Sequence, residues 1–271
     1  MPALILAFDT STDICTVSLL ALGEDVRVLA TRSALAGRSH TRMLLGFCDE
    51  VLGEAGVEPR DLGAIAVGTG PGTFTGVRIG IATARAMALS LDIPVVGVST
   101  LAALAAAATE TQETAASVVV PVVDARRGQL FAGVYSRDPA HIERDWACWT
   151  RTGDYFPVDP ADLAEEVAVR TRGAVVVVGD PRLLAGLALP GLPVAVDASF
   201  MVLGQSRLRE PVGSPGGVDL ASWLAGAVRP EGRHQWVAPG AAGSPEAVRP
   251  LYVRMPDADV HITRMKDPWA S

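Results

Sequence analysis

Gly68-Thr69-Gly70-Pro71-Gly72-Thr73-Phe74-Thr75-Gly76-Val77-Arg78-Ile79-Gly80 decides the fold of this chain, because it joins an apolar strand, a glycine loop and an apolar helix without a gap. Ala64-Ile65-Ala66-Val67 reads as a buried strand. Gly70, Pro71 and Gly72 then turn the chain sharply, since glycine accepts positive φ and proline presets its own. Thr73 or Thr75 can cap the helix that follows. A loop of this kind aims backbone N–H groups at a helix start, where phosphates and carboxylates bind. The nucleotide signatures nevertheless fail. A dinucleotide fingerprint starting at Gly68 needs glycine where Thr73 stands, and a P-loop needs lysine where Val77 stands. The leading reading is a tight strand-to-helix connection under close backbone packing, with anion binding as the alternative.

Working outward, alternation of apolar residues predicts three consecutive strands, Leu4–Phe8, Thr16–Ala21 and Val26–Thr31, as a β-meander. A helix is expected from Ser39 to Leu52, ending at Gly53, followed by a turn at Pro59 and the strand at Ala64. The helix after the loop should run from Val77 to Leu91. Strand Val95–Val98 comes next, then an alanine-rich helix capped by Ser99 or Thr100. A second cycle echoes the first: Ser117–Val123 ends at Asp124 as Leu4–Phe8 ends at Asp9, and a turn and the strand Gln129–Tyr135 follow. Asp159-Pro160 opens a helix to about Arg170. Ala174–Val178 and Pro193–Val196 read as further strands. Strands alternating with helices argue for an α/β protein.

The division expected is a first lobe over residues 1–110 and a second, reduced lobe over 111–210. Residues 211–271 read as a Pro/Gly-rich linker, a helix at 218–228 and a tail. Leu220, Trp223, Leu224 and Ala227 give that helix its apolar stripe, and Trp236 reads as a packing anchor.

At 271 residues the chain can bury a sizeable core. Its longest apolar runs fall short of a bilayer span, and the start Met1-Pro2-Ala3-Leu4 has no basic n-region, so a cytoplasmic, membrane-free protein is expected. Cys15, Cys48 and Cys148 have no paired spacing and read as reduced thiols. A net charge of −7 argues against tight RNA binding by this chain alone. Arg126-Arg127 reads as solvated surface.

Three further segments accompany the glycine loop: Leu6-Ala7-Phe8-Asp9-Thr10-Ser11, Val123-Asp124-Ala125-Arg126-Arg127-Gly128 and Arg249-Pro250-Leu251-Tyr252-Val253-Arg254. With Gly70, Pro71, Gly72, Thr73, Phe74 and Gly76 as the signature loop, they resemble the TsaB family in order and spacing along nearly the whole chain. That family belongs to the actin-like glycoprotease superfamily. It supplies the smaller subunit of the bacterial machinery that makes threonylcarbamoyladenosine in tRNA. The resemblance implies a two-lobed actin-like fold, a duplicated ribonuclease-H-like unit. In active members of that fold, acidic turns hold a metal-nucleotide between the lobes. Here Asp9, Thr10, Ser11 and Asp124 occupy those turns without the glycines a phosphate needs, so a vestigial nucleotide cleft is expected.

No catalytic or metal-binding constellation is visible. His40, His141, His234 and His261 offer no pair within a helical turn, no serine sits in a Gly-x-Ser-x-Gly elbow, and no cysteine neighbours a histidine. A peptidase reading therefore has no apparatus. The helices are more informative. Val77, Gly80, Ile81, Ala84 and Ala88 can face one neighbour while Ile79, Ala82, Ala86 and Leu89 face another. In the preceding helix Met43, Leu44, Phe47 and Val51 oppose Leu45, Cys48 and Leu52. Both helices lying inside one core is the plain reading. The resemblance instead makes this pair the surface on which such proteins meet a larger, metal-bearing paralogue of TsaD type, or a second copy of themselves. The contact residues expected are Met43, Leu44, Phe47, Arg78, Ile81, Ala84, Arg85 and Ala88. The resemblance further implies a small P-loop ATPase of TsaE type, ATP and magnesium used by the complex, and tRNA reached only through it. The alternative is an actin-fold kinase or ATPase using Asp9 and Asp124.

Overall fold

The computed structural model describes residues 3–22, 26–36, 39–111, 117–137, 149–185 and 248–254. The expected strand Pro193–Val196, the helix at 218–228, Trp236, Cys148, His141, His234, His261 and the tail beyond 254 lie outside the described residues.

The first five strands, β1 (Ala3–Asp9), β2 (Ile14–Leu22), β3 (Val26–Leu35), β4 (Leu62–Gly68) and β5 (Val95–Val98), form one sheet in the order β3-β2-β1-β4-β5. The meander β1-β2-β3 is antiparallel, whereas β4 and β5 run parallel to β1, reached through α1 (His40–Ala55) and α2 (Phe74–Leu91). β1 has a strand on either side and is buried from Ile5 to Asp9, which accounts for its continuous apolar run. Leu6, Phe8, Val17, Leu19, Ile65 and Val67 form one sheet face, covered by Leu44, Cys48 and Val51 of α1 and by Val77, Ile81, Ala84 and Ala88 of α2.

The second sheet repeats this order with broken strands. β6 (Val118–Arg126) is flanked on one side by β7 (Gln129–Ala132) and β8 (Tyr135–Arg137), which pair with its two ends. β9 (Trp149–Arg151) and β10 (Phe156–Val158) lie outside β8 and β7, and β11 (Val175–Val178) runs parallel to β6 on its other side. With β7–β8 and β9–β10 each counted as one interrupted strand, the order 3-2-1-4 of the first sheet recurs. α4 (Leu163–Arg170) and α5 (Pro181–Ala185) supply Leu163, Val167 and Leu184 to its core. Between the halves, α3 (Thr100–Thr111) packs on β6 and β11. Among the described residues no helix is long and apolar enough to cross a membrane.

Boundaries differ from expectation at several places, among them the following. α1 runs on to Ala55, because Gly53 keeps helical backbone and the left-handed stop falls at Gly56, φ 64°. α2 starts at Phe74, capped by Thr73, whose hydroxyl accepts from the Gly76 amide. The strand expected over Gln129–Tyr135 is interrupted at Gly133-Val134, and β3 continues to Leu35. Cys15 and Cys48 are buried free thiols, and burial pushes both up to about 12, so they remain protonated core side chains.

Candidate functional site: a filled glycine loop and an inter-lobe cleft

The glycine loop is occupied by the chain itself. The β1–β2 connection, Thr10-Ser11-Thr12-Asp13, lies in it. The Thr73 amide donates to the Ser11 carbonyl at 2.6 Å and the Thr10 hydroxyl donates to the Gly76 carbonyl at 2.7 Å. This approach is what requires glycine: a β-carbon at Gly72 would sit 2.8 Å from the Ser11 carbonyl carbon, and one at Gly76 would sit 2.6 Å from the Thr73 hydroxyl oxygen and closer still to the Thr10 carbonyl. Amides at the start of α2 thus serve internal acceptors, and the close-packing reading of the loop describes its geometry. The Gly70-Pro71 bond is cis. The Gly70 carbonyl accepts from the Thr100 amide at 2.8 Å, joining the loop to the start of α3.

Asp9 lies beneath this assembly at 4% exposure. Its Oδ1 accepts from the Ser11 amide and its Oδ2 from the Thr100 hydroxyl, each at 2.7 Å, while the Ser11 and Thr100 hydroxyls are 2.8 Å apart. Gly68 backs the carboxyl so closely that a β-carbon there would be 2.5 Å from Oδ1. Burial raises the Asp9 carboxyl above the ordinary carboxylate value, and the Ser11 and Thr100 hydrogen bonds only partly oppose this. Thr10 and Ser11 are buried as well. Asp9, Thr10 and Ser11 are therefore brought together, but as an internal polar knot and not on a cleft wall.

Asp124 lies elsewhere. It lines a cleft of about 280 Å³ between the halves with Thr12, Asp13, Thr73, Arg126, Asp180 and Arg182, over the apolar Leu104, Val122 and Leu183. Arg182 pairs with Asp180 at 2.6 Å, and Arg126 pairs with both Asp124 and Asp13. Arg126, read from sequence as solvated surface, is thus tied across the cleft. A metal-nucleotide does not fit this donor set. The Asp9 carboxylate has both oxygens engaged below the surface, and the carboxylates that do face the cleft already hold guanidinium groups.

The helix residues expected at a partner surface divide. Leu44, Ile81, Ala84 and Ala88 are core residues, Ala84 at 0% exposure, and belong to the face turned toward the sheet. The small residues at 80, 84 and 88 let α2 lie close to β1 and β4, where a β-carbon at Gly80 would meet the Thr10 hydroxyl at 2.7 Å. Met43 and Phe47 are half-buried against the same core. Ala82, Ala86, Leu45 at 48% and Leu89 at 63% exposure point outward, whereas Ile79, expected on the same stripe, is half-buried against the core. Arg78 is exposed and lies 3.7 Å over the Phe74 ring; Arg85 donates to the Val248 carbonyl.

Both arginines meet the C-terminal segment Val248–Arg254, whose contacts the sequence pattern does not reveal. The Leu251 amide donates to the Thr69 carbonyl at 2.9 Å, and Tyr252 stacks on Phe74 at 5.6 Å while accepting from Arg78. Arg254 reaches Gln129 and Phe131 of the second half. The Arg249-Pro250-Leu251-Tyr252-Val253-Arg254 stretch is therefore a strap over both halves.

A family model described as "TsaD: tRNA N6-adenosine threonylcarbamoyltransferase" matches residues 33–144. A curated relative from Haemophilus influenzae, "tRNA threonylcarbamoyladenosine biosynthesis protein TsaB", is 41% identical over 64 residues, which cover 24% of this chain and 25% of that protein's length. Among solved structures, YeaZ from Pseudomonas aeruginosa superposes with a TM-score of 0.65 at 30% identity, over 92% of this chain and 99% of that one. A second crystal structure, of an uncharacterized protein similar to peptidase YeaZ from Pseudomonas aeruginosa, gives 0.63 at 29% identity over 93% and 100%. Near-complete mutual coverage at that identity, with the duplicated sheet order above, makes the fold two-lobed and actin-like. The chain belongs to the TsaB family, the group that includes YeaZ.

Proposed function

We propose that this chain is a non-catalytic scaffold subunit required for threonylcarbamoyl transfer to adenosine 37 of tRNA. It pairs with a larger, metal-bearing paralogue of TsaD type, and a small P-loop ATPase of TsaE type joins them. ATP and magnesium are used by the complex, tRNA is reached only through it, and the free chain forms a homodimer. Family membership and the relative named for threonylcarbamoyladenosine biosynthesis support the pathway. The observation that carries the scaffold role is the Asp9 knot. The carboxylate that a kinase or ATPase of this fold would turn to its nucleotide is buried under Ser11 and Thr100, and the glycine loop is filled by backbone. The outward face of α2 at Ala82, Ala86 and Leu89, with Leu45 of α1, is where pairing is expected, because Leu45 and Leu89 are large apolar side chains left exposed among the described residues. The test is depletion of the protein in its own cell, with threonylcarbamoyladenosine in bulk tRNA quantified by nucleoside mass spectrometry. Loss of the nucleoside, restored by the wild-type gene, is the expected result. An unchanged level in depleted cells would overturn the assignment.

A further inference from the structure

The group standing between the acidic turns of the two lobes is a guanidinium. Arg126 and Arg127 both have positive φ, 63° and 58°, ahead of Gly128 at 76° in the β6–β7 turn. Such backbone suits glycine or asparagine, and side chains of arginine's length adopt it rarely, at a cost in strain. The strained turn has a consequence for the side chain. Asp124 accepts from the Arg126 amide at 2.7 Å through Oδ1 and from Nη1 at 3.1 Å through Oδ2, which fixes the guanidinium on its own strand. Its Nη2 is left to donate to Asp13 of the first lobe. Asp13 is itself held: its carbonyl accepts from the Ala36 amide at 2.9 Å, and the neighbouring Thr12 carbonyl lies 2.8 Å from His40 Nε2. The bond to Asp13 is the main reason the guanidinium is held above its ordinary value.

We infer that Arg126 is a built-in latch, in which a strained turn of the second lobe carries a permanent cation across the cleft to Asp13 of the first, so that lobe closure is held by the chain itself and needs no ligand. The inference goes beyond the tRNA reading and does not depend on it. It follows from the misfit of a metal-nucleotide to this cleft: the position between the turns is filled by a side chain that cannot dissociate.

The test is amide hydrogen exchange on the full chain, comparing wild type with Arg126→Gly, Asp13→Asn and the double variant. Glycine is chosen because it accepts the positive φ, so it removes the latch while relaxing the turn. If Arg126 is a latch, exchange at Thr12, Asp13 and Ile14 rises by about two- to fivefold in either single variant, the range expected when an exposed ion pair is lost. The double variant rises no further, and residues 125–129 in Arg126→Gly are protected as well as in wild type or better. Raising sodium chloride to 1 M should loosen the wild type in the same places. Unchanged exchange at Thr12–Ile14 in a folded Arg126→Gly protein would overturn the inference, as would singles whose effects simply add. Asp13→Asn leaves the turn untouched, so if the glycine variant does not fold, unchanged exchange at Thr12 and Ile14 in Asp13→Asn overturns the inference in its place.

Discussion

Replacing Gly76 by alanine tests directly whether the glycine loop is a packing device. In an ordinary helix the change stabilises by about 1 kcal/mol, since alanine is the better helix former. Here the new β-carbon would lie 2.6 Å from the Thr73 hydroxyl and closer still to the Thr10 carbonyl, where real β-carbons are essentially never found within 3.0 Å. The β1–β2 connection has to retreat. Retreat breaks the 2.7 Å bond from Thr10 to the Gly76 carbonyl and the 2.6 Å bond from the Thr73 amide to Ser11. Each bond contributes about 1 kcal/mol, and buried groups left without partners add about 1–3 kcal/mol more. Against the helix gain, the net destabilisation is about 2–4 kcal/mol. Gly46→Ala is the control: it sits on an exposed face of α1 with nothing within 4 Å of the added carbon, and it should stabilise by up to about 1 kcal/mol. Urea denaturation of the two variants beside wild type reads both values. A Gly76→Ala protein within about 0.5 kcal/mol of wild type would refute the filled-loop account, because a loop with room for a ligand has room for a methyl group.

Other substitutions probe the same geometry. Asp9→Asn should be more stable than wild type at pH 7, since asparagine can accept from the Ser11 amide and donate to Thr100 without an ionised form to desolvate. Because the folded carboxyl is raised, the Asp9 contribution to wild-type stability is fully present only below the ordinary value of 3.8 and is lost as pH rises through the raised value, so the gap between the proteins closes in acid; pH-dependent melting checks this. Leu89→Asp, on the outer stripe, should leave monomer stability within about 0.5 kcal/mol and weaken self-association at least about tenfold in sedimentation. Ala84→Arg, by contrast, puts a charge into a fully buried site and should unfold the chain, visible by circular dichroism. Tyr252→Ala removes the Phe74 stack and the 2.9 Å bond from Arg78 and should cost about 1–2 kcal/mol in denaturant titration.

Much of this architecture is readable locally. The strand-loop-helix block, the meander and the β6 echo of β1 are short-range patterns. The division of α2 into Val77-Gly80-Ile81-Ala84-Ala88 and Ile79-Ala82-Ala86-Leu89 is a matter of helical period. Periodicity does not say which stripe meets the sheet. The small residues at 80, 84 and 88 suit a close helix neighbour equally well, and only the approach of Thr10 and Val67 to Gly80 decides for the sheet. Asp9 is legible as the end of a strand but not as a buried group, because its partner Thr100 is 91 positions away. The bond from Arg126 to Asp13 spans 113 positions and the strap contact from Tyr252 to Arg78 spans 174, beyond any local pattern.

The most direct measurement of the scaffold account is threonylcarbamoyl transfer to tRNA, reconstituted from this chain, its TsaD-type and TsaE-type partners, ATP and magnesium. The chain would be supplied as wild type, as Asp9→Asn or as Leu89→Asp. If it only positions its partner, Asp9→Asn supports transfer at the wild-type rate, and Leu89→Asp loses pairing and transfer together. Abolition of transfer by Asp9→Asn with pairing intact would contradict the account and place chemistry in this subunit.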